Sequence, residues 1–174
     1  MVDPGVIGTV LPRSERDILV HGTAAQAEFD KPGPPNEIEY RGWGAVVAAE
    51  NHHAWVHLPI PIPIDVPAPI AVGGSTPFSD LARLVRLEVR YEVPPAAEVR
   101  NVHLWDADTR FFFWDFPAKL PPDLQLGSTG LKWRGNRALA DSLGVSIGVT
   151  FPTAIDSHEP PSSFTLFSAR AHLE

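Results

Sequence analysis

The sequence predicts an all-β protein: two antiparallel sheets packed as a sandwich, with jelly-roll and immunoglobulin-like topologies both open. Three observations carry this. Apolar residues alternate with polar ones at a period of two in several stretches. The 174 residues include 19 prolines, and proline fixes φ and removes a backbone donor, which suits loops, extended segments and edge strands better than helices. The one helical reading, over 79–84, is a turn or two long.

In chain order, residues 1–35 are Pro/Gly-rich and aperiodic and read as an arm or long loop. The expected division is an N-terminal arm or extended segment at 1–19 and one sandwich domain at 20–174. Residues 38–49 and 53–60 read as a strand pair around Glu50-Asn51-His52. Over 85–93, Val85, Leu87, Val89, Tyr91 and Val93 alternate with Arg86, Glu88, Arg90 and Glu92, a strand with one face in a core and one in water. Residues 98–106 and 110–116 flank Asp106-Ala107-Asp108-Thr109, a hairpin turn. Residues 117–137 read as a long inter-strand excursion. Over 143–151, Leu143, Val145, Ile147, Val149 and Phe151 alternate with Gly144, Ser146, Gly148 and Thr150. The last strand sets Phe167, Ala169, Ala171 and Leu173 against Leu166, Ser168, Arg170 and His172.

Composition narrows the function classes. Apolar residues make up 44% and charged residues 20%, an ordinary globular balance. A net charge of −7 and the absence of a long basic run argue against a nucleic-acid partner. There is no cysteine, so disulfides, thiolate catalysis and zinc–cysteine sites are excluded together. No apolar run is long enough to span a membrane. The N-terminus shows no secretory signal, which leaves a cytoplasmic location as the default expectation.

Four groups of residues invite chemistry. His53 and His57, with His103 from another strand, are a weak alternative for a metal site. Four residues of extended chain span ~13 Å, too far for His53 and His57 alone to chelate one ion. Gly144-Val145-Ser146-Ile147-Gly148 matches the nucleophile motif G-x-S-x-G, with Asp156 and His158 following. A nucleophile elbow needs a sharp strand-to-helix turn, whereas alternation runs straight through Ser146. The glycines more simply flatten one face of a strand so that an aromatic can pack on it. Asp106, Asp108 and Asp115 contain the oxygen ligands that calcium wants, but without calcium-loop spacing they read as turn formers. Trp43, Trp55, Trp105, Trp114 and Trp133, with Phe111, Phe112 and Phe113, exceed what one inward face holds, which leaves core plus a subunit contact or a sugar-stacking platform.

Five fragments resemble a family of small, uncharacterised bacterial β-sandwich proteins. They are His21-Gly22-Thr23, Gly42-Trp43-Gly44, Trp55 to Pro61, Val102-His103-Leu104-Trp105-Asp106, and Leu143 to Val149. The resemblance spans roughly residues 20–151 and implies the fold, with Ser146 structural and no assigned activity. This chain carries Ile62 and Ala107 where that family often has Thr and Gly.

The resulting expectation is a non-enzymatic β-sandwich that binds or self-assembles as a homo-oligomer. Its expected ligand or partner surface is Trp55, His57, Ile60, Ile62, Ile64, Trp105, Phe112 and Trp114. Ile60, Ile62 and Ile64 share strand parity and would form an apolar ridge. No cofactor is expected. The alternative is a carbohydrate-binding module using exposed tryptophans, and a metal-dependent enzyme on the histidines stands third.

Overall fold

The computed structural model describes residues 15–30, 36–49, 52–62, 82–95, 97–152 and 162–174. Twelve strands follow in order: β1 (Arg16–His21), β2 (Gln26–Phe29), β3 (Glu37–Arg41), β4 (Gly44–Ala48), β5 (His53–Ile60), β6 (Arg83–Glu92), β7 (Glu98–Asp106), β8 (Thr109–Asp115), β9 (Leu124–Gly127), β10 (Gly130–Ala138), β11 (Leu143–Thr150) and β12 (Ser163–Leu173). They form a seven-stranded sheet in the order β3-β4-β12-β6-β10-β9, with β1 also paired to β12, and a five-stranded sheet in the order β2-β5-β11-β7-β8. Every pairing is antiparallel. The all-β, two-sheet sandwich is the architecture read from the sequence.

The core lies between the sheets. β5 turns Ala54, Val56, Leu58 and Ile60 inward, and β11 turns in Leu143, Val145, Ile147 and Val149. Across from them the seven-stranded sheet contributes Val47, Leu87, Tyr91, Phe164 and Leu166. Each of the Val, Leu, Ile and Phe side chains among them contributes about 1.5–3 kcal/mol on full burial. Trp133 of β10 meets Phe111 and Phe112 of β8 at centroid distances of 6.1 Å each, which ties the two sheets together along one side.

Several sequence expectations shift. β4 and β5 do not pair: β4 joins β3 and β12 while β5 joins the opposite sheet, because alternation specifies a strand's faces and not its partner. Within 1–35, Arg16–His21 and Gln26–Phe29 are sheet strands, so β1 begins upstream of residue 20. Within 117–137 lie β9 and most of β10, joined by the tight turn Gly127-Ser128-Thr129-Gly130. Of the expected helix at 79–84, Arg83 and Leu84 belong to β6, Ala82 is not helical, and the rest lies outside the described residues. Two bulges slip the inward face by one residue. One lets Leu84 rather than Val85 face the core, and the other, at Phe167, hands burial from Phe164 and Leu166 to Ala169, Ala171 and Leu173.

Candidate functional site: the outer face of the five-stranded sheet

β11 is the central strand of its sheet, and its outward residues are Gly144, Ser146, Gly148 and Thr150. Register sets Pro59, His57, Trp55 and His53 of β5 beside them on one flank. Trp105, His103 and Asn101 of β7 stand on the other flank. Two glycines leave the middle of the sheet almost bare, so side chains from both flanks lean over it. A Cβ at Gly148 would sit 2.5 Å from Asn101 Oδ1 and 2.9 Å from His53 Cε1. At Gly144 the nearest atom is Trp105 Cβ at 3.4 Å. The flattening read from the glycines is what lets these groups approach.

Trp55 is surrounded by imidazoles. Its ring centroid lies 4.8 Å from that of His103, 5.4 Å from that of His53 in an edge-on arrangement, and 6.3 Å from that of His57 with nearly parallel planes. Trp105 lies at the other end, its indole N–H donating to Ser146 Oγ at 3.1 Å. Phe113 of β8 is exposed beside His103, and the Arg110 guanidinium lies 4.8 Å from the Phe113 ring and 5.8 Å from the Trp105 ring.

Polar groups edge this aromatic surface. His57 Nδ1 is 2.9 Å from Ser146 Oγ, and its Nε2 is 3.5 Å from Glu28 Oε2 on β2. Ser146 Oγ thus bridges Trp105 and His57, and the second imidazole nitrogen of His57 faces Glu28. Asp115 Oδ1 accepts from Asn101 Nδ2 at 2.7 Å and pairs with His103 Nε2 at 2.8 Å. Burial by itself would raise the Asp115 carboxyl, but hydrogen bonds from Asn101 and His103, with the charges of His103 and Arg110, hold it below its ordinary 3.8. Burial pulls His53 below its ordinary 6.5, with Asp30 opposing.

Ser146, His57 and Glu28 line up in the order of a hydrolytic triad. Among the described residues nothing completes a hydrolase site around them: the strand runs straight through Ser146, and β11 is laddered on both sides by β5 and β7, so its amides form no oxyanion hole. The line of hydrogen bonds fixes ring orientations.

Of the residues singled out in the sequence, Trp55, His57 and Trp105 share this face. Ile60 and Trp114 are in the core, at 1% and 6% exposure, and Phe112 and Ile62 pack against it. Ile60 and Ile62 of the expected ridge therefore face their own sandwich, because β5 pairs with β11 along its whole length and turns its apolar parity inward. Ile64, Asp156 and His158 lie outside the described residues. His53, His57 and His103 surround Trp55 without aiming their nitrogens at a common point, since these engage Thr150, Ser146 with Glu28, and Asp115. Asp106 turns inward and accepts the backbone N–H groups of Ala140 and Asp141, and Asp108 accepts from Thr109. Glu28, Asn101 and Arg110 were missed. For Arg110 the signal was available, since closing the hairpin at 106–109 brings it opposite Trp105.

Elsewhere, Glu15, His172 and Glu174 bring three potential metal-ligand atoms within 4.8 Å of one another, but both acids are exposed and His172 Nδ1 already binds Asp17 at 2.9 Å. A shallow groove of about 450 Å³ on the seven-stranded sheet is edged by Glu88, Arg90, Gln125 and Lys132. Glu88 is occupied there by Arg86 and Lys132.

Fold and face together define an antiparallel β-sandwich with an aromatic, hydrogen-bonding outer surface. No family model matches the chain, and no curated protein matches it. Among solved structures, the chain is similar to a xylan-binding module, CBM15, with 14% sequence identity and a TM-score of 0.42, over 92% of this chain and 97% of that one.

Proposed function

We propose that this chain is a non-enzymatic binding module that takes a carbohydrate on the outer face of its five-stranded sheet. The supporting observation is the central strand with Gly144 and Gly148, over which Trp55 and Trp105 lean in from the two flanks beside His57, Asn101 and Asp115. A sugar ring has an apolar C–H face that packs on an aromatic ring and a rim of hydroxyls that needs donors and acceptors. This surface offers both. Trp55 and Trp105 are two strands and four residues apart in register, a Cα separation of roughly 16 Å, so the ligand is an oligosaccharide rather than a single ring.

Affinity electrophoresis against soluble polysaccharides, followed by titration calorimetry, tests the reading. The native chain binds at least one polysaccharide, and Trp105→Ala loses that binding without a large fall in melting temperature. Absence of binding across a broad glycan panel would remove the proposal.

Self-association is a second reading. It is favoured by Trp43, which is 49% exposed and packs on Phe167 at 5.9 Å at the turn between β3 and β4, and by exposed Leu19 on β1. Light scattering at micromolar concentration tests it, and a strict monomer excludes it.

A further inference from the structure

Resting on the carbohydrate reading, we propose that the ligand of this face is an acidic glycan bearing uronate groups, and that Arg110 receives a ligand carboxylate. Arg110, the second residue of β8, pairs directly opposite Trp105, so its charge stands at the end of the aromatic surface. The Arg110 guanidinium carbon lies 4.8 Å from the centre of the Phe113 ring and 5.8 Å from that of Trp105. Cation–π contact of this kind leaves the N–H donors of the guanidinium available, and their fork matches a carboxylate through two parallel hydrogen bonds.

The Arg110 charge acts on Asp115 only at a distance; among the described residues Arg110 makes no hydrogen bond or ion pair, and it contacts the two rings. The contrast is Arg100 on the neighbouring strand, which lies 4.0 Å from the Phe116 ring but is neutralised by Glu98 at 2.7 Å. The acid on Arg110's own strand, Asp115, is taken by Asn101 and His103. A cation packed on aromatic rings, with no acid bonded directly to it, is free to take an external one.

The remaining charges give the ligand a direction. Glu28 and Asp30 lie on the opposite flank, beyond His57 and beside His52, and the chain as a whole carries −7. An acidic polymer is repelled by most of this surface and finds its favourable contact at Arg110, so its carboxylate docks there while neutral rings cover the glycine strip. Arg110→Lys keeps the charge and loses the fork, so it recovers only part of the preference.

The test is calorimetric titration of the native chain, Arg110→Gln and Arg110→Lys with a panel of α- and β-linked uronate oligosaccharides, each beside its methyl ester. The native chain is expected to bind at least one acid about tenfold tighter than its ester, the size of one charge-assisted hydrogen bond. Added salt narrows that gap and Arg110→Gln closes it. Equal affinity for acid and ester, or a gap that survives Arg110→Gln, overturns the role of Arg110 and leaves the carbohydrate reading standing. Failure to bind any saccharide, neutral or acidic, overturns both.

Discussion

The indole N–H of Trp105 donates to the hydroxyl of Ser146 at 3.1 Å, across the strip that Gly144 leaves bare. The same hydroxyl is hydrogen-bonded to His57 Nδ1 on the opposite flank, at 2.9 Å. One small side chain on the central strand thus sets the orientation of two rings on different neighbours. Ser146→Ala should free both rings at a cost of about 1–2 kcal/mol in stability, from one or two lost hydrogen bonds. Urea denaturation measures that cost, and a shift in tryptophan emission reports the looser indole. Unchanged stability and emission would show that the rings are held by other means.

The two floor glycines should differ. Gly148→Ala forces Cβ into Asn101 and His53 and should destabilise by about 1–3 kcal/mol, the usual range for overpacking. At Gly144 the added methyl meets ordinary contact distances, so Gly144→Ala should be neutral or slightly stabilising. Thermal denaturation of the pair decides the matter, and equal effects would contradict the geometry.

The tryptophans divide into structural and surface groups. Trp133 is 4% exposed and bridges the sheets through Phe111 and Phe112, so Trp133→Ala should cost about 3–5 kcal/mol. Trp105→Ala removes a partly exposed ring and should cost far less while abolishing ligand binding. Unfolding curves beside binding isotherms separate the two effects.

Acid should weaken the fold in two stages. Burial favours neutral His53, so below its ordinary 6.5 the unfolded chain takes up the proton more readily and stability falls with pH until the native imidazole also protonates. Asp115 is held below its ordinary 3.8 in the fold, so its contribution is complete above that value and lost as pH drops through the lowered one. Melting temperatures across a pH series should show the first decline beginning near pH 6.5, and His53→Gln should flatten it. A pH profile that His53→Gln leaves unaltered would assign the decline to other groups.

Much of this organisation was legible because it is local. The alternation across β11 and the turn at 106–109 are encoded within a few residues, and they specify faces and a hairpin without ambiguity. The partner of a strand is not local, which is why β5 could be seen as a strand and still be assigned the wrong neighbour. A bulge such as that at Phe167 adds one residue and inverts every face beyond it. β9 and β10 escaped notice because Leu124 with Leu126, and Leu131 with Trp133, give only two inward residues apiece around a turn. The site followed the same division. Trp55, His57 and Trp105 stood out by residue type, and the flattening role of the glycines could be read from their parity. Glu28 and Asn101 became visible only when β2, β5, β11 and β7 were set side by side.

The pairing of β2 with β5 has a further consequence. β2 covers Ala54 to His57 and stops, so among the described residues the stretch Leu58 to Ile60 has a strand neighbour on its β11 side alone. Pro59 interrupts that uncovered stretch, and Pro61 follows it directly. The pairing with β11 tolerates Pro59 when the donor it lacks belongs to the outer side, so a strand arriving from another molecule finds no N–H there to bond. The prolines that first suggested an arm reaching for a partner thus remove a donor from the margin where another strand would add, the device by which sheet edges discourage cross-β growth.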